Sequence, residues 1–333
     1  MKVQPTHYHS IGHRNYHYRV DTQRFGVIAT DVEKNVTYVD DQRVVHSIPG
    51  NWGRLYTPAI LDQHQDQQRL AITHQNGLSV VDPGGEIIFE CEVPESESRD
   101  PSHRCYFGGC HFDPQLKELW LTAPLSPEQY ELMILDTKTW KFVHRLVVDD
   151  LFSGSDQTFY PTFQPGIVGM DLTTGGCGEE TFILDRNNDA IEIENAEIGD
   201  SRYHVFSPRA KNFMVVEGHT EILQYGYPAV GYYGGTENLC EQLDEFSKGD
   251  GSSVGSSMAF VSPYELLISN DDDVLAILDL HSWRIKEKVE VELPESRRPK
   301  HSLLPSWTWF SPVHEAIAFW HGDGFFTVPR EQF

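Results

Sequence analysis

The sequence predicts an all-β fold built from repeated four-stranded units. The clearest unit spans residues 258–290, where apolar runs at 265–269, 274–278 and 284–291 each have the length of a strand. Turn signals rich in Pro, Ser, Asn and Asp separate these runs, because short polar side chains bond their own backbone in turns. Aromatic residues make up 12% of the chain, which suits strands. No long segment has a 3.6-residue period, so a helical domain is not expected.

Two sequence anchors recur along the chain in a fixed order. The first is an apolar or aromatic run that ends in proline, at Pro114, Pro165, Pro208, Pro263 and Pro312, with a degenerate copy at Pro58. The second is an apolar run closed by aspartate, at Asp82, Asp136, Asp185 and Asp279. Proline fixes φ and cannot donate to a strand ladder, so the first anchor indicates the end of strand A. The aspartate indicates the end of strand C, where its side chain can cap the C–D turn.

Radial stacking of these units predicts a propeller, because a four-stranded sheet cannot bury both of its faces alone. The anchors define seven blades, 333/7 or about 48 residues each, within one domain of residues 1–333. The last blade has three strands of its own, and we expect N-terminal residues 3–11 to supply the fourth. The predicted blades are 15–49, 56–93, 106–148, 159–198, 203–240, 258–291 and 307–333.

On these residues the chain resembles the WD40-like and YVTN-like seven-bladed β-propellers. The F-S-P strand ends, the apolar runs closed by Asp and the borrowed last strand carry the resemblance over nearly the whole chain. No Trp-Asp dipeptide closes a blade, and no Gly-His pair recurs at blade starts. The resemblance implies a ring with a central channel that binds ligands or partners on one face.

Two other architectures, a pair of β-sandwiches and a mixed α+β fold, remain open at this point. Residues 126–133 and 238–247 could each form a short helix. The Gly/Ser-rich stretch at 247–257 is interpreted as a loop between blades 5 and 6.

The composition restricts the possible partners and the compartment. The formal net charge is −24, with 50 acidic against 26 basic residues, so nucleic acid is excluded and basic partners are favoured. The alternative is that this charge serves solubility alone. The five cysteines form no C-x-x-C pair and are expected to be free thiols in a reducing compartment. The sequence has no signal core and no membrane span, so a cytoplasmic monomer is expected.

If the propeller is right, B–C turns and inter-blade loops meet on one face and bring scattered residues together. Residues 297–301 (R-R-P-K-H) form the one local basic cluster of this acidic chain. Such a rim could bind an acidic segment of a partner protein or a small anion, with histidine as ligand or as acid and base. The alternative is a solvated rim with chance histidines. The predicted site residues are His74, His219, His321, Arg202, Arg297, Arg298 and Trp307.

Three further patterns have weaker chemical content. His7 and His9 share one strand face and could form a metal pair, or they could lie on a solvated strand. Residues 185–189 imitate half of an EF-hand loop but lack its glycine and its bidentate glutamate, so no metal is expected. The stretch 225–235, rich in Tyr and Gly, breaks the pattern of blade 5, which indicates either function or drift.

The sequence predicts a non-catalytic scaffold that binds a partner protein through one loop face, without a cofactor. No P-loop, G-x-S-x-G, dinucleotide or H-E-x-x-H motif is present. One alternative is an enzyme of the lactonase or lyase type with a histidine site at the channel mouth. Another is a carbohydrate-binding propeller, which would expose aromatic residues repeated from blade to blade.

Overall fold

The chain is built almost entirely from β-strands, in a computed structural model. Two short strands come first, β1 (Lys2–Val3) and β2 (His7–Ser10). The structure describes residues 1–5, 7–10, 19–21, 26–30, 36–39, 45–48, 59–62, 68–74, 76–82, 84–97, 99–100, 107–113, 115–126, 129–149, 156–162, 164–173, 179–187, 190–196, 201–207, 211–217, 220–236, 238–245, 254–270, 274–292, 310–313, 316–321 and 324–333.

One compact unit, Asn15–Glu197, holds four antiparallel sheets of four strands each in the described ranges. Sheet 1 contains β3 (Arg19–Asp21), β4 (Gly26–Thr30), β5 (Val36–Val39) and β6 (Val45–Ile48). Sheet 2 contains β7 (Ala59–Asp62), β8 (Gln68–His74), β9 (Gly77–Val81) and β10 (Ile87–Cys91). Sheet 3 contains β11 (Cys110–Asp113), β12 (Glu118–Ser126), β13 (Gln129–Asp136) and β14 (Lys141–Asp149). Sheet 4 contains β15 (Asp156–Pro161), β16 (Ile167–Thr173), β17 (Glu179–Asn187) and β18 (Ala190–Asn195).

The second compact unit joins Met1–Arg14 to Ile198–Phe333 and holds three sheets and a short helix in its described part. Sheet 5 contains β19 (Ser201–Phe206), β20 (Asn212–Glu217), β21 (Glu221–Gly226) and β22 (Gly231–Gly235), followed by α1 (Leu239–Asp244). Sheet 6 contains β23 (Val254–Ser262), β24 (Glu265–Asn270), β25 (Leu275–Asp279) and β26 (Arg284–Val291). Sheet 7 contains β27 (Phe310–Val313), β28 (Ala316–His321) and β29 (Gly324–Pro329), and a 3-10 helix, Arg330–Gln332, follows it.

Consecutive sheets of each unit pack face to face. Ala71, Leu78 and Val80 of sheet 2 share a core cluster with Leu121 and Met133 of sheet 3. A second cluster joins sheets 3 and 4, a third joins sheets 5 and 6 with α1, and a fourth joins sheets 6 and 7. First strands of neighbouring sheets lie side by side, as β7, β11 and β15 in one unit and as β19, β23 and β27 in the other. The fourth strand of each sheet therefore lies at the opposite edge, away from these first strands.

The N-terminal residues form two strands in two sheets, whereas the sequence predicted one strand over residues 3–11. Strand β1 adds in parallel to β26, with Lys2 opposite Glu290 and Val3 opposite Val291. Strand β2 pairs antiparallel with β29, with His7 opposite Thr327. Pro5 separates the two strands, because proline has no N–H with which to continue a ladder.

Of the two short helices left open by the sequence, one exists. Residues 239–244 form α1, which buries Leu239 and Leu243. Residues 126–133 instead lie at the β12–β13 hairpin. Both faces of β13 are buried from Tyr130 to Leu135, so its apolar run does not alternate in the manner of a half-exposed strand. Within the described residues, no helix is long and apolar enough to cross a membrane.

The repeated aspartate closes the turn between the third and fourth strands. The carboxylate of Asp136 accepts hydrogen bonds from the backbone N–H groups of Lys138 and Thr139, at 3.1 and 2.6 Å, and from the Thr139 hydroxyl at 2.7 Å. Asp279 makes the corresponding bonds to His281 and Ser282. The tryptophan that ends each turn has a positive φ, 56° at Trp140 and 55° at Trp283. The D-x-x-x-W pattern is thus the chemistry of one turn used twice.

Four fourth strands carry a β-bulge at the same place. The register skips one residue against the third strand, and these residues are Ile88, Val143, Tyr233 and Lys286. A bulge strengthens the local twist and redirects side chains at the edge of a sheet. Ile88, Val143 and Tyr233 are among the exposed large apolar residues of the described chain.

We expect Asp136→Ala to lower the free energy of unfolding by about 1 kcal/mol at neutral pH, since three hydrogen bonds of the turn are lost. Hydrogen bonds from Thr139 hold the pKa of Asp136 below its ordinary value. A carboxyl with a depressed native pKa stabilises the fold above its ordinary pKa, and this contribution disappears as the pH falls through the native pKa. Urea unfolding should therefore show the two proteins converging below about pH 4.

Asp136→Asn is the control, because its amide oxygen can still accept the backbone bonds. An equal loss of stability in both variants, unchanged by pH, would contradict the assignment of the turn to the carboxylate.

Candidate functional site

Only one of the seven predicted site residues has a described side chain. His74 ends β8 and is 4% exposed. Arg202 lies in β19 opposite Val216, and His321 ends β28 opposite Gly324, each with only the backbone described. His219, Arg297, Arg298 and Trp307 lie outside the described residues. The described structure therefore does not bring the predicted set together.

His74 holds the β8–β9 turn. Its Nδ1 accepts a hydrogen bond from the backbone N–H of Asn76 at 3.2 Å, so the ring proton of the neutral imidazole lies on Nε2. Nε2 lies 2.9 Å from the Ser79 hydroxyl oxygen, and that hydroxyl donates to Glu90 Oε1 at 3.1 Å. Burial lowers the pKa of His74, and the Glu90 carboxylate opposes this shift. A neutral, buried imidazole gives a partner no positive charge to contact.

The direction of these hydrogen bonds also differs from that of a nucleophilic serine. In a serine hydrolase the histidine accepts the hydroxyl proton. Here the Ser79 proton is directed to Glu90, and Ser79 is fully buried. The His74–Ser79–Glu90 chain is therefore a structural connection across β8, β9 and β10.

The most exposed large side chains of the described residues are three tyrosines of the second unit. Tyr232 is 62% exposed, Tyr233 66% and Tyr264 57%. Tyr232 and Tyr233 lie on β22, and Tyr264 lies in the β23–β24 turn. We call Tyr232, Tyr233 and Tyr264, with the neighbouring His281 and Trp283, the tyrosine surface. An exposed aromatic patch on a soluble domain indicates a place where something binds.

The bulge in β22 places both of its tyrosines on one residue of the third strand. Gln224 pairs with Gly234 and Tyr225 pairs with Tyr232, so Tyr233 is the extra residue. Aromatic rings continue from Tyr232 through Tyr225 and Phe213 to Phe206, with centroid separations of 5.8, 5.7 and 5.0 Å. Such cross-strand pairs stabilise a sheet and fix the side chains that form them. Tyr232 is thus exposed but anchored.

Trp283 connects the β22 tyrosines to Tyr264. Gly234 has a φ of +150°, and a β-carbon there would lie 3.4 Å from Trp283 Nε1. The turn that contains Trp283 also holds His281, whose ring centroid is 4.4 Å from that of Tyr264. Gln242 of α1 accepts the Ile285 N–H at 2.9 Å and fixes the same turn from the other side. The tyrosine surface therefore spans sheets 5 and 6.

The corresponding place between sheets 2 and 3 shows what is unusual about this surface. There the turn tryptophan, Trp140, stacks on Phe89 with centroids 4.7 Å apart and ring planes at 12°. Phe89 follows the bulge residue Ile88 just as Gly234 follows Tyr233. In sheet 5 the stacked phenyl ring is replaced by glycine, and the aromatic groups lie one and two residues earlier, on the surface.

Strand β22 also has no charged residue. Fourth strands with described charged side chains are β10 with Glu90, β14 with Lys141 and Arg145, β18 with Glu192 and Glu194, and β26 with Lys286, Glu287 and Lys288. The side chains of β2, and those of β6 apart from Ile48, lie outside the described set. Charges on an edge strand prevent pairing with other chains, so β22 lacks a usual form of protection.

The buried ionisable groups of the first unit are paired structurally. Arg145 binds both carboxylate oxygens of Glu131, at 2.6 and 2.9 Å. Arg186 lies 3.1 Å from Glu118, whose pKa burial raises and Arg186 lowers in part. Burial raises the pKa of Cys91 to about 12, so this thiol is a poor nucleophile at neutral pH. Across the described ranges, no group of three or more His, Cys, Asp or Glu could hold a metal ion.

Comparison with solved structures establishes the fold. The chain matches no model of a known protein family and no curated protein in sequence. It is similar to the crystal structure of the β-propeller domain of Cps50 (Swd1) from Myceliophteria thermophila, at 13% identity over 98% of both chains with a TM-score of 0.60. The protein therefore has the fold of a WD40-like β-propeller, which confirms the resemblance inferred from the F-S-P and Asp anchors. At this identity the likeness concerns the fold alone.

Sequence reasoning found part of the tyrosine surface. The stretch 225–235 departs from the repeat, and it contains Tyr232 and Tyr233. Tyr264 was not selected, although an aromatic residue directly after the turn proline Pro263 is a signal for exposure, since a turn projects its middle residues into solvent.

We expect His74→Gln to make the protein less sensitive to mild acid. A histidine whose native pKa is lowered stabilises the fold above its ordinary pKa of about 6.5, and this contribution is lost as the pH falls. Thermal unfolding between pH 7 and pH 5 should show a smaller loss of Tm in the variant than in the wild type. An identical pH dependence in the two proteins would contradict the buried, neutral state of His74.

Gly234→Ala should destabilise the protein by about 1–2 kcal/mol, because φ of +150° is strained for any residue with a β-carbon. The near-ultraviolet circular dichroism of the tryptophans should change as well, since the new methyl group contacts the Trp283 indole. Gly231→Ala is the matched control on the same strand, where a β-carbon would meet only Tyr233, at 3.9 Å. Equal stability of the two variants would argue against the described geometry of β22.

Proposed function

We propose that the protein is a non-catalytic interaction module, a seven-bladed propeller that binds another protein. In this proposal residues 1–333 form one domain, and the N-terminal strand completes the last blade. The pairing of β2 with β29 supports that closure. The proposal also includes a monomer in the cytoplasm, and the free thiols of Cys91, Cys110 and Cys240 agree with a reducing compartment.

The observation that carries the proposal is the tyrosine surface. Tyrosine is enriched where proteins bind proteins, because a rigid amphipathic ring gives a large contact area at a low cost in conformational entropy. Tyr232, Tyr233 and Tyr264 are each more than half exposed, and neighbouring aromatic groups hold Tyr232 and Tyr264 in place. A preorganised aromatic patch favours binding because little ordering remains to be done on association.

The basic rim predicted from the sequence is a second contact area in this proposal. Arg202, Arg297 and Arg298, with His219, His321 and Trp307, would receive an acidic segment of the partner. His74 does not contribute to such a rim, since its imidazole is neutral, buried and bonded within its own sheet. The same bonds weaken the alternative of a lactonase-type or lyase-type enzyme that uses His74.

Carbohydrate binding by repeated rim aromatics is less well supported. The exposed tyrosines of the described residues are concentrated in sheets 5 and 6, whereas the exposed positions of sheets 2 and 3 carry Ile87, Ile88, Val143 and Val147. A surface of aliphatic residues in some blades and tyrosines in others does not repeat from blade to blade.

Affinity capture from cells that express the protein tests the proposal with four baits. These are the wild type, Tyr232→Ser/Tyr233→Ser, Arg297→Glu/Arg298→Glu, and Val143→Ser/Val147→Ser as a matched control on exposed positions of β14. We expect a partner that the wild type and the control retain equally and that the tyrosine variant loses by at least about tenfold, as for central aromatic contacts of an interface.

Loss with the arginine variant alone would assign binding to the basic rim. Empty captures with all four baits would contradict the interaction module, and a thermal-shift screen of metals and small anions would then examine the enzyme alternative.

A further inference from the structure

We propose that the tyrosine surface binds an extended, lysine- or arginine-bearing segment of the partner, which lies along β22 as an added strand. This inference rests on the proposed function and names the surface and the chemistry of the partner. Three observations carry it: the state of the β22 edge, a strand already added to the neighbouring sheet, and the charges around the tyrosines.

The edge of β22 is open to pairing in the described structure. Sheet 5 ends at β22, since its strand order is β19-β20-β21-β22. After the bulge at Tyr233 the strand continues with Gly234 and Gly235, where no side chain obstructs an approaching backbone. Natural edge strands are commonly protected by charge or proline, and β22 has neither.

Sheet 6 shows that the corresponding edge accepts another strand. Strand β1 pairs with β26 after the bulge at Lys286, so that sheet 6 has five strands. The backbone N–H groups of Glu290 and Glu292 donate to the carbonyls of Met1 and Val3, both at 2.9 Å. An extended segment that adds to an exposed edge gains affinity from the backbone bonds and specificity from its side chains.

The charges around the tyrosine surface favour a basic segment. Helix α1 begins four residues after β22 ends, exposes Glu241 and is followed by exposed Glu245. Its last turn has no basic residue. The nearest cation on sheet 6, Lys286, is already paired with Glu265 at 2.7 Å. The surplus charge beside the tyrosines is therefore negative, as is the net charge of −24 for the whole chain.

Tyrosine faces and carboxylates together suit lysine and arginine side chains. A cation over an aromatic ring is attracted by the negative face of the π system, and nearby carboxylates add to this attraction. The exposed rings of Tyr232 and Tyr233 provide such faces on consecutive residues of one strand. An acidic segment would instead meet Glu241 and Glu245 and be repelled.

The test uses three fluorescent peptides of about ten residues: alternating Lys-Val, alternating Glu-Val and alternating Lys-Pro. The Lys-Pro peptide keeps the charge but removes the backbone donors that an added strand needs. Anisotropy titrations at physiological ionic strength should show the order Lys-Val, then Lys-Pro, with no binding of Glu-Val. Amide hydrogen exchange should show new protection at residues 231–235 with the Lys-Val peptide alone.

Matched variants separate the surface from the general attraction of an acidic protein for cations. Tyr233→Lys introduces the residue that β26 carries at the same bulge, so the fold should tolerate it. It should weaken Lys-Val binding by at least about tenfold. Val143→Lys makes the same change of charge at the β14 bulge and should leave binding within about twofold of the wild type.

Several outcomes overturn the inference. Equal effects of Tyr233→Lys and Val143→Lys mean that only net charge attracts the peptide, and binding of Glu-Val means that the partner chemistry is wrong. A dimer of the wild type, seen by light scattering and lost in Tyr233→Lys, means that a second copy covers β22. If Tyr233→Lys keeps the cellular partner of the wild type, this surface is wrong while the proposed function stands. Empty captures together with no peptide binding contradict both.

Discussion

The structure depends on the burial of both faces of each four-stranded sheet. Strand β13 shows the constraint most clearly, because every residue from Tyr130 to Leu135 is buried and neither face can meet water. One face of sheet 3 packs in a cluster with sheet 2 and the other in a cluster with sheet 4. Sheet 6 is covered in the same way by sheets 5 and 7. Face-to-face packing of this kind favours apolar runs and well-defined turns, and it leaves the fourth strands free to vary.

That freedom is where the sheets differ from one another. The same bulge occurs at Ile88, Val143, Tyr233 and Lys286, so the backbone repeats while the side chain changes from aliphatic to aromatic to charged. Lys286 pairs with Glu265, and its strand also receives β1, whereas Tyr233 lies more than half exposed on an uncharged edge. A repeat fold can therefore develop a binding surface at one blade without disturbing its core.

The turns were predictable from the sequence because the residues that make them act locally. Asp136 and Asp279 bond backbone groups two and three residues away, so the D-x-x-x-W pattern identifies the turn without knowledge of the fold. The division of the N-terminal strand was missed, although Pro5 marks it, because its two halves find partners some 290 and 320 residues later. The burial of His74 depends on Ser79 and Glu90 across three strands, and the exposure of Tyr264 depends on which residues its turn projects. Neither is a property of local sequence.

The central claim is that the tyrosine surface is open in the isolated protein, and nitration of tyrosines followed by mass spectrometry tests it most directly. The account predicts rapid modification of Tyr232, Tyr233 and Tyr264, with Tyr130 and Tyr227 protected because they are buried. Protection of Tyr232 and Tyr233 in the purified protein, at concentrations where it is a single species, would mean that this surface is already covered. That result would contradict the account.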